Sequence, residues 1–221
     1  MTTDHALLVL AVLWVAYGVW HSFFASTRIK TGFARRYPRL APAYRLTYNV
    51  LAVLLLIPPL LVLWSSPGPP LWHWPGPFAG IAHGIGLLAL VGFAASLRAY
   101  DLGEFLGVAQ LRNASAAPCD AGPMCLSVWH RFVRHPWYFF GLIVLWSREM
   151  NAAWLVTAVV LTAYLFIGVQ LEERKLLALY GDTYRRYRDA VPALIPRPWR
   201  YLTRRAAEAL VAGAVPGNAN R

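Results

Sequence analysis

Arg134-His135-Pro136-Trp137-Tyr138 is the stretch on which the reading of this chain turns. A polar, basic segment lies upstream of it and a purely apolar one downstream, so an arginine, an imidazole and a phenol stand where a chain would enter a membrane. Burying a charge or an imidazole at such a place is costly, and side chains kept there are functional candidates by default. Pro136 suits the first turn of the helix that follows.

The surrounding composition agrees with a membrane setting. Of 221 residues 58% are apolar and only 14% charged, far from the usual mix of a soluble domain. The net charge of +11 could suggest a nucleic-acid partner, but the bases are not interleaved along a polar surface that could follow a phosphate backbone. Cys119 and Cys125, in one short loop, are too few for a disulfide framework and read as ordinary thiols. Met1 to His5 carry Asp4 and neither Lys nor Arg, the reverse of a signal-peptide n-region, so no cleavable signal is expected.

Outward from the hinge, the apolar runs define the spans. Ala6 to Phe24 is interrupted only by His21 and Ser22, and about twenty such residues cross the hydrocarbon core. Arg28 to Arg45 hold six Lys or Arg and no acid, the mark of a cytoplasmic loop. Leu46 to Trp64 forms a second span in which Pro58-Pro59 should kink or locally open the helix. Ser65 to Pro77 has no Lys or Arg and reads as an outside loop, with Trp72 and Trp74 suited to the interface. Phe78 to Leu97 is a third span, rich in Gly and Ala, which permits close helix approach. Arg98 to Arg134 leaves the membrane. Trp137 to Trp146 is short for a full span, Ser147 to Asn151 turns the chain, and Ala152 to Leu171 is apolar for twenty residues. This pair reads as a helical hairpin whose first arm is tilted, incomplete or packed inside the bundle. Ala206 to Arg221 is a small-residue tail expected to fray.

With the N-terminus outside and the C-terminus inside, the cytoplasmic loops hold six, four and ten Lys and Arg, and the outside loops only Arg148. Twenty of twenty-one basic residues on one side satisfy the positive-inside rule, and topology alone accounts for the net charge. The fold class is therefore all-α: a polytopic membrane protein with about five transmembrane helices, a C-terminal helical hairpin and a cytoplasmic amphipathic helix.

Three clusters fall on the cytoplasmic side: the hinge, the pair Glu172-Glu173 at the end of the last long span, and the run Leu176, Leu177, Tyr180, Gly181, Tyr184, Tyr187, Val191. Acids at a helix C-terminus oppose the macrodipole, so a ligand or a neighbouring Arg must compensate them. The run has the spacing of an amphipathic helix broken near Gly181. Taken singly, Arg134 reads as a topology determinant snorkelling to the headgroups, the tyrosines as interfacial anchors, and His21 and His83 as helix-packing residues. A haem held by His21 and His83 is excluded by depth, since they stand on the order of 15 Å apart along the membrane normal. Six scattered histidines give no zinc spacing.

Taken together, RHPWY and, about forty residues later, EERKLLALYGDTYRRYRDAVPALIP strongly resemble the integral-membrane methyltransferase superfamily. That group includes isoprenylcysteine carboxyl methyltransferases, phospholipid methyltransferases, methanethiol S-methyltransferases and NnrU-type proteins. The resemblance covers Leu97 to Pro196. His21-Ser22, then Tyr44-Arg45-Leu46-Thr47-Tyr48-Asn49, then Glu104-Phe105-Leu106-Gly107 with Gln110 look more like the methanethiol methyltransferase and NnrU branches. The resemblance implies S-adenosylmethionine bound on the cytoplasmic side. His135, Pro136, Tyr138 and Glu172 match its cofactor-contacting positions, and His130, Arg134, Gln110 and Tyr184 complete the candidate set. His130 stands where the family usually has Tyr, and Val128 where it often has Gly. Gly168 stands where prenyl-cysteine enzymes carry an Arg for their substrate, which argues against a prenyl-cysteine carboxylate.

A sulfonium loses its charge as the methyl moves, so aromatic faces and a nearby carboxylate can hold it. A thiol acceptor must lose its proton, and His21 or His135 is the candidate for assisting. The expected organisation is a three-span scaffold over 1–97, a cofactor-binding core over 98–200 and a basic, partly disordered tail over 201–221. The expected protein is a bacterial inner-membrane methyltransferase of a small or lipid-like acceptor, a thiol favoured, in contact with membrane lipids and with no nucleic acid. The alternatives are a non-catalytic NnrU-like accessory protein of respiration or denitrification and a phospholipid N-methyltransferase.

Overall fold

The computed structural model describes residues 2–97, 101–112, 124 and 126–213. Cys119 and Cys125 lie outside the described residues, as does the tail from 214 to 221. The described elements are α1 (Thr3–Ala25), α2 (Thr27–Arg36), α3 (Tyr44–Ser65), β1 (Pro70–Trp72), α4 (Pro77–Leu97), α5 (Leu102–Leu106), α6 (Val108–Arg112), α7 (Pro136–Trp146), β2 (Met150–Asn151), α8 (Ala152–Ala190) and α9 (Arg204–Ala212). Among the described residues four helices are long and apolar enough to cross a membrane: α1, α3 with its short leading turn, α4 and α8. The protein is an all-α integral membrane protein. The short arm is α7, whose 11 residues reach roughly 16 Å, about half of a hydrocarbon core.

Several elements depart from the linear reading. The first basic loop contains α2, whose basic residues alternate with Ile29 and Phe33. α3 runs through Pro58-Pro59 without interruption, and Pro59 is buried; in a span, neighbouring helices stabilise such a segment against opening. α8 extends for 39 residues, so the tyrosine helix is the continuation of the last span, not a separate element. Its first twenty residues fill about 30 Å, which puts Glu172 at the far boundary. At Gly181 the backbone takes φ 52 and ψ −127, a conformation essentially reserved for glycine, and the helix axis is redirected there. The first part of the tail, through Ala212, lies in α9, started by Thr203, whose side chain accepts from the Ala206 N–H at 3.2 Å.

The chain divides into two compact units. The first comprises Met1–Ala79, Asp101–Cys119 and Glu149–Tyr164. Its core is Leu10, Trp14, Leu63 and Ala153, joining α1, α3 and the start of α8, with the Trp14 indole donating to Thr157 Oγ1 at 3.0 Å. β1 pairs antiparallel with β2, and the Ala152 and Ala153 N–H groups donate to the carbonyls of Pro69 and Pro67. These bonds satisfy the free donors at the start of α8 and place the connections around β1 and β2 on one side. Asn49 Nδ2 donates to the carbonyls of Phe105 and Leu106, so the two motifs of the second resemblance meet in space.

The second unit comprises Gly80–Tyr100, Asp120–Arg148 and Leu165–Arg221. One face of α4, Ala82, Ala89, Gly92 and Ser96, is buried. A Cβ on Gly92 would stand 2.5 Å from Phe140, so this glycine is what lets α7 lie against α4. Beyond the membrane boundary, Met124, Tyr184, Tyr187, Val191, Leu202 and Ala207 form a second core that includes α9. Tyr184 and Tyr187 are 1% and 2% exposed, which corrects their reading as interfacial anchors. They pack because Gly181 turns the end of α8 back over the chain.

Candidate active site

The hinge is built onto the end of α8. The N–H groups of Arg134 and His135 donate to the carbonyls of Pro192 and Ala193 at 2.9 and 3.1 Å. Two segments nearly sixty residues apart are thereby held side by side. The Tyr187 hydroxyl adds a bond to the His130 carbonyl at 2.7 Å.

Arg134 is the clamp of this arrangement. Its Nε and Nη2 donate to Glu173 Oε1 at 2.8 and 2.5 Å, and its Nη1 to the carbonyls of Arg188, at 2.9 Å, and Val191. Those carbonyls are the unpaired acceptors at the C-terminus of α8. Arg134 is 9% exposed at its side chain, so it does not snorkel to headgroups. The structure also corrects the position of the acids: Glu172 and Glu173 lie mid-helix in α8, and what compensates them is Arg134 and His135 rather than relief of a helix end.

His135 stands between the two carboxylates. Its Nδ1 is 3.3 Å from Glu172 Oε2 and its Nε2 is 3.2 Å from Glu173 Oε1. Both ring nitrogens face acceptor-only groups, which requires a proton on each. Burial pushes the imidazole down, but the bonds and charges of Glu172 and Glu173 outweigh it and hold the group above its ordinary value. The ring stacks on Tyr138 with centroids 5.5 Å apart and planes within 11°. Tyr138 also hydrogen-bonds Glu172, and its hydroxyl fills the space in front of Gly168, where a Cβ would come within 3.4 Å.

The two acids differ in their surroundings. Glu173 is committed to Arg134 and His135, whereas Glu172, whose side chain is 47% exposed, holds its carboxylate against His135 and Tyr138 at the edge of their stack. A carboxylate next to aromatic faces is a suitable seat for a cation such as a sulfonium, so the residues present fit that group. Pro136 is buried at the start of α7 and fixes the chain direction behind the stack.

Upstream, His130 is buried in a short 3-10 turn, Trp129–Arg131, and its Nδ1 faces the Ser127 N–H at 3.2 Å and Oγ at 2.7 Å. A nitrogen that accepts from a backbone N–H carries no proton. Burial and the neighbouring His135 charge push this imidazole down to about 4, against a smaller opposing pull from Glu172. Val128 has ordinary right-handed backbone angles, φ −53 and ψ −40, so a glycine is not required there.

Of the sequence-derived candidates, the second unit brings together His130, Arg134, His135, Pro136, Tyr138, Glu172 and Tyr184, the last with its ring 5.8 Å from Tyr187. Glu173, the acid that sequence reasoning passed over in favour of its neighbour, is central to the clamp. Its position beside Glu172 was the available signal. Gln110 and His21 belong to the first unit: Gln110 Nε2 donates to the Glu104 carbonyl at 3.1 Å, and His21 Nδ1 lies 2.8 Å from the Tyr164 hydroxyl. His83 is exposed on α4, which corrects its reading as a packing residue.

The fold and the site together define an integral-membrane helical protein with a clamped Arg–Glu–His–Glu cluster at the boundary of its last span. The family model described as "Protein of unknown function (DUF1295)" matches residues 2–191, and the chain belongs to that family. It is similar to methanethiol S-methyltransferase 1 of Bradyrhizobium diazoefficiens, 32% identical over 90% of this chain and 69% of the relative. It is likewise similar to methanethiol S-methyltransferases of a Pseudomonas species, 34% identical over 89% and 76%, and of Mycobacterium tuberculosis, 31% identical over 90% and 85%. With these relatives it stands among the integral-membrane methyltransferases. No solved structure matches the chain.

Proposed function

We propose that this enzyme is an S-adenosylmethionine-dependent thiol S-methyltransferase that acts on a small acceptor such as the methanethiol for which its relatives are named. The observation that carries the reading is the unequal pair of acids: Glu173 locks the hinge through Arg134, and Glu172, with the more exposed side chain, lies against the His135–Tyr138 stack. When bound, the sulfonium supplies an electrophilic methyl group. Glu172 balances its charge, Tyr138 presents an aromatic face to it, His135 and Glu173 hold those two groups in place, and Pro136 sets the direction of the chain behind them. His130, Arg134 and Tyr184 position these groups from behind. Residues 98–200 are the cofactor core in this reading, with 1–97 as scaffold and 201–221 as a basic tail. The hinge faces the cytoplasm of a bacterial inner membrane with the N-terminus outside, an orientation supported by twenty of twenty-one basic residues lying on that side.

Isothermal titration of the protein in lipid nanodiscs with S-adenosylhomocysteine tests the reading. Binding by the wild type is expected. An absence of binding there overturns it.

A further inference from the structure

The chain beyond α8 returns to the membrane boundary and leaves apolar side chains uncovered there. The bonds from the Arg134 and His135 N–H groups to the Pro192 and Ala193 carbonyls hold residues 192–193 beside the hinge, at the level where the apolar α7 begins. At no more than about 3.6 Å per residue, Ile195 stands within roughly 7 Å of Ala193. A second tie follows: the Leu202 N–H donates to the Arg131 carbonyl at 3.0 Å, and Arg131 Nε donates to the Leu202 carbonyl at 2.9 Å. Between the ties the Arg200 N–H donates to the Arg197 carbonyl at 3.0 Å, closing a turn that holds Trp199 and is stiffened by Pro198. Both ends of this strap are therefore fixed to the short stretch 131–135 that leads into α7.

What the strap exposes does not suit a surface in water. Ile195 is 73% exposed, Trp199 77% and Tyr201 50%, and none of them belongs to a helix long and apolar enough to span. The Tyr201 ring stacks on Phe132, itself exposed, with centroids 6.0 Å apart and planes within 19°, and the Arg131 guanidinium lies 5.6 Å from the Phe132 ring. Large apolar side chains exposed together on one short segment mark a contact surface. Residues 192–205 contain four arginines and neither Asp nor Glu. Arg200 serves the carbonyls of Arg188 and Asp189, and Arg204 pairs with Glu208 at 2.8 Å, while Arg197 and Arg205 are exposed. Trp and Tyr beside Arg is the composition of the layer where hydrocarbon meets headgroups, and basic side chains at that level attract anionic phosphates. The level of the strap, set by its bonds to the hinge, puts the bilayer itself within reach of these rings.

We propose that residues 195–205 anchor the hinge to the bilayer: Ile195, Trp199 and Tyr201 enter the headgroup layer, and Arg197 and Arg205 bind the phosphates of anionic lipids. The anchor involves neither methyl donor nor acceptor, so it stands apart from the thiol-methyltransferase reading.

Spin labelling of the full chain in nanodiscs, with Cys119→Ser and Cys125→Ser, tests this. A nitroxide on Ile195→Cys is compared with one on Asp182→Cys, an exposed position just past Gly181 and roughly 14 Å along α8 from Glu172. In phosphatidylcholine discs the Ile195 label is expected to be relaxed mainly by lipid-dissolved oxygen and the Asp182 label mainly by an aqueous nickel chelate. Adding phosphatidylglycerol raises the oxygen preference at Ile195, and added salt reverses the rise. Arg197→Gln with Arg205→Gln removes it, each charge being worth roughly fivefold in partition to an anionic surface. Should Ile195→Cys fail to fold, Trp199→Cys takes the label. Aqueous relaxation at Ile195 equal to that at Asp182 overturns the anchor. Spin–spin broadening that disappears on dilution with unlabelled chain gives the patch to a second copy and overturns it too. An oxygen preference indifferent to phosphatidylglycerol overturns the assignment to anionic lipid.

Discussion

The hinge and the cluster of tyrosines around His21 both gather polar groups in an apolar chain, but from opposite materials. The hinge uses full charges, Arg134, Glu172 and Glu173, with an imidazole held protonated between the acids. The cluster around His21 uses phenols, a serine and an imidazole, without a formally charged side chain among the contacts described. The difference follows position along the spans. Beyond residue 171 a charge can be matched by opposite charges, by the carbonyls that end α8 and by water. Inside a span an unmatched charge costs several kcal/mol, and neutral donors and acceptors are the workable currency.

The strongest way to break this comparison is to uncouple the clamp. Glu173→Gln leaves Arg134, nearly buried, without its counter-charge, and is expected to cost about 3–5 kcal/mol, read as a large fall in thermal midpoint. Glu172→Gln is expected to shift the midpoint less, since its side chain is half exposed, yet weaken binding of the sulfonium S-adenosylmethionine roughly 10- to 100-fold while changing that of the uncharged S-adenosylhomocysteine much less. Equal effects on stability from the two acids would dissolve the distinction between them.

The two hinge histidines sharpen the comparison through pH. His130 titrates near 4 in the folded protein against an ordinary 6.5, so the unfolded chain takes up a proton first and stability falls as pH drops from 6.5 towards 4. The loss is of order 2–3 kcal/mol, and His130→Phe should flatten it. His135 runs the other way: its raised value gives stability that is full below 6.5 and is lost as pH rises through the folded value. Together they place the best stability near 6.5, which thermal melts across pH will check. The smallest effect belongs to the uncharged cluster. Tyr164→Phe removes two neutral hydrogen bonds, with His21 and with Ser22, and should cost about 1–2 kcal/mol in thermal stability. A cost like that of Glu173→Gln would mean that the cluster carries hidden charge.

Much of this was legible in the chain. All four long spans, the short arm and the break at Gly181 follow from run lengths and a glycine in an amphipathic pattern. The hinge and Glu172 stood out because charges are rare in an apolar sequence. What was not legible is which acid does what. Adjacent helix positions point about 100° apart, so Glu172 and Glu173 face different neighbours, and nothing local says which. The buried Tyr184 and Tyr187 were misread because an amphipathic tyrosine helix suits an interface as well as a core. Val128 gave an unnecessary signal, since its backbone is ordinary.

By itself the sequence determined that this is a helical membrane protein, where its spans lie and where its charges collect, because hydropathy and charge are local quantities that a single chain displays in order. Only the tertiary structure decided that Arg134 caps α8 and clamps Glu173, that His135 bridges two acids, and that Tyr164 reaches His21 across 143 positions. Such partners depend on side-chain directions in segments far apart in the chain. Those directions are set only when the helices pack.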